Sequence, residues 1–239
     1  MYSFDSRVRF SETDPNGQLS LPAVINYFQD CSEFQSDSLG TGVDTLGTHA
    51  WILNAWQVQF RHFPKRNDVI TIATKPYQFK GIEGFRNFLI FDADGNVAIN
   101  ANSIWTYFDL QKQRPCRITD DQYEAYQLED AYPMECAPRK IAIKDLSEND
   151  YETLSSLTVT RSHLDLFGHM NNAQYVTIAY DHLPEDLSYT QMRVEYKKQA
   201  RLGDVITTKR ACLKDRTILC LENEDKEPYA ILEFTDIPL

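Results

Sequence analysis

The sequence lacks several features that would place it in a membrane or a secretory pathway. No apolar run approaches the ~18 residues that a membrane-spanning helix needs. Residues 1–7 do not combine a basic start with an apolar core, so we expect no secretory signal. The five cysteines are odd in number and form no Cys-x-x-Cys pair. They are typical of reduced thiols, and we expect a cytoplasmic protein without membrane attachment.

Positive charge is also scarce. Lys and Arg total 24 against 35 Asp and Glu, which gives a formal net charge of −11. Nucleic-acid binding needs a basic face, so this balance argues against a nucleic-acid partner. An acidic protein partner would need a local basic patch instead, because the electrostatic field is local. Candidates for such a patch are Lys65-Arg66, Lys197-Lys198, Arg201 and Lys209-Arg210.

Common catalytic and cofactor motifs are missing as well. There is no Gly-x-Ser-x-Gly elbow of the kind that serine hydrolases use. No His, Cys and carboxylate residues have the spacing of metal ligands, so we predict neither a metal nor a cofactor. With 42% apolar and 25% charged residues, the 239-residue chain is typical of a globular protein of one large or two small domains.

The most informative segment is 165–172, Asp-Leu-Phe-Gly-His-Met-Asn-Asn, which precedes an apolar stretch. A weaker copy without the His and the two Asn, Asp-Pro-Asn-Gly-Gln-Leu-Ser-Leu, begins at position 14. A second pair of segments, 58–71 and 194–207, aligns without gaps. Two such repeats predict a duplicated domain in which only the second copy keeps the reactive side chains.

Periodicity and turn signals predict one helix and several strands in each half. In the first half we expect strands Phe4 to Phe10, Trp51 to Arg61, Val69 to Phe79, Phe85 to Phe91 and Val97 to Asp109, and a helix from Leu21 to Ser36. In the second half we expect strands Leu157 to His163, Thr190 to Lys198, Asp204 to Leu213, Thr217 to Leu221 and Tyr229 to Phe234, and a helix from Asn171 to His182. The predicted class is α+β. The predicted domains are 1–116 and 153–239, joined by an acidic linker, 117–152, with a short helix near Asp120 to Gln127.

These features resemble the acyl-acyl-carrier-protein thioesterases, a family with two fused hot-dog domains. The segment 165–172 resembles the family's Asp-x-Asn-x-His-x-Asn-Asn signature, with Phe167 at the first Asn. Other matching segments are Trp51-Ile52-Leu53, Val58, Asp68-Val69, Ala101-Asn102-Ser103-Ile104-Trp105, Arg114, Arg117 and Glu195-Tyr196-Lys197-Lys198. The resemblance implies a tandem double hot-dog, each half a long helix wrapped by an antiparallel sheet, that hydrolyses fatty acyl-acyl-carrier-protein (acyl-ACP) thioesters to free fatty acid at the end of fatty acid synthesis. It implies acyl carrier protein as the partner.

The same resemblance suggests roles for residues of the second half. Asp165 and His169 match the family's reactive pair, and its further acidic residue falls at Gln199. Gln199 can hold water by hydrogen bonds but cannot accept a proton. Gly168 permits a sharp turn, and Asn171 and Asn172 begin the predicted helix, whose first amide groups can hold a thioester carbonyl. Taken singly, Asp165 fits a turn residue equally well, and Asn171 an N-cap. Asp14, in the weaker copy, is predicted to keep only a turn role.

An acyl chain needs an apolar slot, which we predict in the 1–116 domain. Trp51 and Trp56 are candidate lining residues, and Phe167 is predicted to be a pocket wall or part of the core. The leading alternative function is an acyl-CoA thioesterase of the wider hot-dog class. A non-catalytic acyl-binding protein is a second alternative, and a hot-dog dehydratase is a weaker third. Chain length stays open, as does the choice between a monomer and a homodimer.

Overall fold

The structure is a computed structural model that describes residues 1–42 and 47–239. The chain forms two compact units, Met1–Ala137 and Pro138–Leu239. These are called unit 1 and unit 2 below. No helix among the described residues is long and apolar enough to cross a membrane.

Unit 1 consists of a long helix and an antiparallel sheet. Its elements are β1 (Tyr2–Arg7), α1 (Leu21–Ser38), β2 (His49–Phe60), β3 (Val69–Lys80), β4 (Glu83–Phe91), β5 (Val97–Asp109), β6 (Arg114–Pro115) and α2 (Asp120–Ala125). The strand order is β1-β3-β4-β5-β2, and β6 pairs with β5. The helix α1 begins after the extended residue Ser20, with Pro22 in its first turn. Its buried face includes Phe28, whose ring lies 5.6 Å from that of Trp56 and 5.1 Å from that of Phe88.

Unit 2 repeats this arrangement. Its elements are β7 (Glu152–Thr158), α3 (Asn172–Tyr180), β8 (Gln191–Tyr196), β9 (Val205–Cys212), β10 (Thr217–Glu222) and β11 (Pro228–Thr235). The strand order is β7-β9-β10-β11-β8. Counted within each unit, this is the same order as in unit 1, and it supports the predicted duplication. The α+β class is confirmed.

Two predicted strands end earlier than expected, at the same place in each repeat. The first strand of each unit stops at Arg7 or Thr158, and the chain then forms a short 3-10 turn, Phe10–Glu12 in unit 1 and Arg161–His163 in unit 2. In unit 1 the Arg9 amide donates to Glu12 Oε2 at 2.8 Å. The extensions to Phe10 and His163 were therefore wrong, because a side-chain cap competes locally with the sheet ladder.

The helix of unit 2, α3, is shorter than predicted. It has 9 residues against 18 in α1, so only unit 1 has a long helix. Asn171 is its N-cap and not a helical residue. Beyond Tyr180 the chain turns, and His182 Nδ1 lies 2.7 Å from the Ile178 carbonyl oxygen, which satisfies one of the carbonyls at the helix end.

The boundary between the compact units falls inside the segment predicted as a linker, 117–152. Its first part belongs to unit 1, where Ile118 and Tyr126 are buried and α2 forms close to the predicted place. Its second part belongs to unit 2, where Ile141 is buried with Ile218 and Ile231. Each part of this segment therefore packs on its own unit through buried apolar or aromatic side chains.

Candidate active site

The segment 165–172 forms a tight turn between a 3-10 turn and α3. The Asp165 amide donates to the His169 carbonyl at 2.7 Å, and the Gly168 amide donates to the Asp165 carbonyl at 3.1 Å. Gly168 has a φ of 74°, a region that residues with a Cβ rarely adopt. The glycine of the motif is therefore required by the backbone of the turn.

The Asp165 carboxylate stabilises this turn from inside. Its Oδ1 accepts from the Phe167 amide at 2.9 Å and from the His169 amide at 3.1 Å. The turn role that the residue type favours is thus present. Because the turn uses Oδ1, a reaction at this carboxylate would involve Oδ2.

Unit 1 contains the same turn without the imidazole. Asp14 Oδ1 accepts from the Asn16 amide at 2.9 Å and from the Gln18 amide at 2.8 Å. The Asp14 amide donates to the Gln18 carbonyl at 2.8 Å, and Gly17 has a φ of 74°. Gln18 therefore occupies the position of His169. The imidazole is not needed to build this turn, which separates its role from that of the backbone.

Two backbone contacts connect the His169 turn to the segment that contains Gln199. His169 forms an isolated antiparallel bridge with Arg201, and the Met170 amide donates to the Ala200 carbonyl at 2.8 Å. Gln199 is exposed and directly precedes Ala200, which is buried. Distant parts of the sequence thus place Asp165, His169 and Gln199 in one region of unit 2.

The start of α3 is already partly hydrogen-bonded. Asn171 Oδ1 accepts from the Ala173 amide at 2.8 Å, which confirms the N-cap interpretation. The Asn171 amide donates to the His163 carbonyl at 2.9 Å. The Ala173 and Asn171 amides are therefore occupied within the protein. Neither of these two amides is therefore available to a thioester carbonyl.

Two tyrosines, Tyr175 buried and Tyr196 half-buried, hold the motif in place, and the sequence pattern did not predict this role for either. Tyr196 Oη donates to the Asn172 carbonyl at 3.0 Å, and Tyr175 Oη accepts from the Ala200 amide at 2.9 Å. Burial raises the pKa of Tyr175 to about 12 and that of Tyr196 well above its usual value, so both phenols stay protonated at neutral pH. A sequence signal existed for Tyr175, which lies four residues after Asn171, one helical turn along α3.

The predicted acyl-pocket residues fall in different surroundings. Trp51 lines a small pocket of unit 1. Trp56 is 2% exposed and packs in the core, where its ring lies 5.0 Å from that of Phe88. Phe167 belongs to the turn in unit 2 and is 52% exposed, so the core interpretation of this residue was wrong. The motif's own backbone places it at the surface.

Most of the candidate basic patch in unit 2 is ion-paired. Lys198 contacts Glu227 at 2.7 Å, and Lys197 contacts Glu195 at 2.8 Å. Lys209 and Arg210 also have carboxylate partners within 2.8 Å. These four charges are at least partly balanced locally. Arg201, beside the motif, has no ion-pair partner among the described residues of unit 2.

Among the described residues, no group of three or more His, Cys, Asp or Glu side chains has an arrangement that could hold a metal ion. The five cysteines are free thiols. Burial raises the pKa of Cys31 to about 12, so this thiol is not an activated nucleophile at neutral pH. What the site offers is therefore a carboxylate, an imidazole and amide groups around one turn.

Residues 1–126 match the acyl-ACP thioesterase N-terminal domain, and residues 146–229 match the acyl-ACP thioesterase C-terminal domain. The chain belongs to the acyl-ACP thioesterase family. A chloroplastic acyl-[acyl-carrier-protein] hydrolase of Cuphea viscosissima is 25% identical over 215 residues, which are 83% of this chain and 52% of that protein. The chain spans about half the length of the curated relatives it matches.

Solved structures share the fold of this family member over nearly its whole length. An acyl-ACP thioesterase from Bacteroides thetaiotaomicron superposes with a TM-score of 0.88 at 20% identity, covering 98% of this chain and 96% of that one. A 12:0-ACP thioesterase from Umbellularia californica gives a TM-score of 0.84 at 17% identity, with the same coverage. The predicted double hot-dog fold is confirmed.

Proposed function

We propose that this protein hydrolyses fatty acyl-ACP thioesters to free fatty acid and carrier protein. The observation that supports this most directly is the pair of matching turns. Asp14 and Asp165 hold the same backbone, yet only unit 2 has an imidazole at the position that Gln18 occupies in unit 1. A side chain that the turn does not need, in a chain of this family, is best explained by chemistry.

In the proposed reaction, water attacks the thioester carbonyl without a covalent enzyme intermediate. The imidazole of His169 serves as base or proton donor in this step. Asp165 assists it through the carboxylate oxygen that the turn does not use, and Gln199 positions the water. Gly168 shapes the turn, while Asn171 and Asn172 position the substrate carbonyl. The developing negative charge on that carbonyl is where donors contribute most.

The acyl group is proposed to reach unit 1, the domain predicted to hold the acyl slot. Trp51 supports this, because it lines a pocket there. Trp56 is proposed to act through the core that surrounds the slot, since its ring packs on Phe28 and Phe88. Phe167, being exposed in the turn, is proposed to contact the substrate near the thioester. The partner is proposed to be acyl carrier protein, and a cytoplasmic location stays a prediction.

The test is release of free thiol from matched acyl-ACP and acyl-CoA substrates that have the same acyl group. We expect a higher kcat/KM with the carrier protein, and a loss of about 10²- to 10⁴-fold in kcat for His169→Gln, the typical contribution of general acid–base catalysis. Gln is a suitable replacement because the same turn accommodates it in unit 1. Gln18→Ala is the matched control and should retain the full rate.

A preference for acyl-CoA would favour the wider hot-dog class of thioesterases. Binding of acyl-ACP by the folded protein without turnover on either carrier would favour a non-catalytic acyl-binding protein. A kcat of His169→Gln equal to that of the wild type would refute the proposed mechanism.

A further inference from the structure

The pocket of unit 1 that Trp51 lines is small and has a mixed character. Its volume is about 40 Å³, room for a few water molecules. A whole fatty chain does not fit this space, so only the tip of a ligand can occupy it as it stands. Its lining includes Glu33, Trp51, Gly84, Arg86 and Tyr126.

The unexpected member of this lining is Arg86, on β4. It is 8% exposed, although it carries a permanent positive charge. Its Nη1 donates to Gln35 Oε1 at 2.7 Å and, more weakly, to Thr74 Oγ1 at 3.4 Å. The guanidinium carbon lies 5.3 Å from the ring centre of Tyr126. All three of these partners are neutral.

No carboxylate lies within ion-pair distance of Arg86 among the described residues. Glu33 is the acidic residue among those that line the pocket. Burial raises the pKa of Glu33, with a further contribution from Asp37, and Arg86 opposes that rise. The pocket thus holds a buried positive charge whose hydrogen-bond and ring partners are neutral and which forms no ion pair with a described carboxylate.

Such an arrangement is a poor match for a plain alkyl end. A methyl group in contact with a buried guanidinium displaces water and offers no acceptor in return, which leaves donors unsatisfied at a cost. An oxygen atom at the same place accepts from the guanidinium, and such charge-assisted bonds are stronger than neutral ones. The planar fork of Arg suits this recognition particularly well.

We infer that Arg86 is a specificity-determining residue that favours acyl groups with an oxygen function at the end that reaches this pocket, over plain alkyl groups of the same length. The inference rests on the proposed function, since it requires an acyl group to enter unit 1. It adds a substrate class, the ω-oxygenated acyl groups, and names the side chain that selects it.

The test measures binding and not turnover. Amide analogues of acyl-pantetheine, which lack the labile thioester, are prepared at one chain length with a methyl, a hydroxyl or a carboxylate end. We expect the wild-type protein to bind the hydroxyl or the carboxylate analogue roughly 10- to 100-fold more tightly than the methyl analogue, the range for a hydrogen bond to a charged group. Tighter binding of the hydroxyl analogue alone would show that the pocket selects a neutral oxygen group. Tighter binding of the carboxylate analogue would show that it selects an anion, and either result supports the inference.

Two variants locate the effect. Arg86→Met, similar in length but neutral, should abolish the preference, whereas Arg86→Lys should keep part of it. Gly84→Ala leaves the guanidinium in place but adds a Cβ that meets the Trp51 ring at 2.8 Å, so it should weaken binding of the oxygenated analogues by filling the pocket. If Arg86→Met does not fold, the inference is still tested by the affinities of the wild-type protein for the three analogues and by their change in Gly84→Ala.

Tightest binding of the methyl analogue by the wild type, or no binding of any analogue, would overturn the inference. So would an unchanged preference in folded Arg86→Met. Hydrolysis of plain acyl-ACP, measured in parallel, reports the proposed function alone. Turnover of that substrate without any preference for oxygen would refute the role of Arg86 and leave the thioesterase proposal standing.

Discussion

Replacing Asp165 by Asn, and Asp14 by Asn as its matched control, separates turn formation from catalysis. Asn keeps the Oδ1 acceptor and removes only the negative charge. Asp165 Oδ1 accepts two amide hydrogen bonds, at 2.9 and 3.1 Å, and Asp14 Oδ1 accepts two at 2.9 and 2.8 Å. The two substitutions therefore perturb nearly identical backbone contacts.

The expected stability loss follows from those contacts. Hydrogen bonds to charged groups contribute about 1.5–3 kcal/mol and neutral ones about 0.5–1.5 kcal/mol. The two values differ by about 1–1.5 kcal/mol per bond, and solvent screening at these exposed and part-buried turns reduces the sum over two bonds to roughly 1–2 kcal/mol at either site. For a chain of this size, that lowers Tm by a few degrees, at about 2–4 °C per kcal/mol. Both variants should show this shift to a similar extent.

Activity should then differ sharply between them. We expect Asp165→Asn to lower kcat by about 10²- to 10⁴-fold, as for loss of a general acid–base group, while Asp14→Asn changes it less than twofold. The assay is thiol release from acyl-ACP at a temperature well below both Tm values. Equal losses of rate in the two variants, or a full rate in Asp165→Asn, would refute the reasoning.

Three further predictions concern the surrounding structure. Asn171→Ala should cost about 1 kcal/mol by removing the cap on the Ala173 amide, and Asn171→Asp should restore most of it in thermal unfolding. Trp56→Ala should lower the free energy of unfolding by ~3–5 kcal/mol, and Trp56→Phe by far less, as measured by urea unfolding. Phe lacks the indole N–H but loses no hydrogen bond, because the Trp56 Nε1 has no partner among the described residues. Hydrogen bonds from Lys209 and Lys226 lower the pKa of Glu148 to about 2. The stability that the Glu148 carboxylate contributes is therefore fully present above its ordinary pKa near 4.5 and is lost as the pH falls toward 2. The Tm advantage of the wild type over Glu148→Gln should therefore shrink across that window, and a constant difference would contradict it.

Local sequence signals predicted most of the fold. The strand Val97–Asp109 appears where the pattern placed it, because alternation acts over only a few residues. The duplication was also visible, since matching segments need only be compared with one another. The errors fell at the ends of elements, at Phe10, His163 and His182, where a side-chain cap or a terminal carbonyl decides the last turn.

The sequence by itself determined the family, the repeat and the reactive residue types around His169. Only the tertiary structure showed that Asp165 and Asp14 make the same turn, that Tyr175 and Tyr196 hold the motif, and that Arg86 is buried beside a pocket. Each of these findings depends on specific contacts. Local sequence patterns encode neither the geometry of those contacts nor the partners that come from distant parts of the chain. Burial and hydrogen bonding, unlike periodicity, are properties of the packed chain.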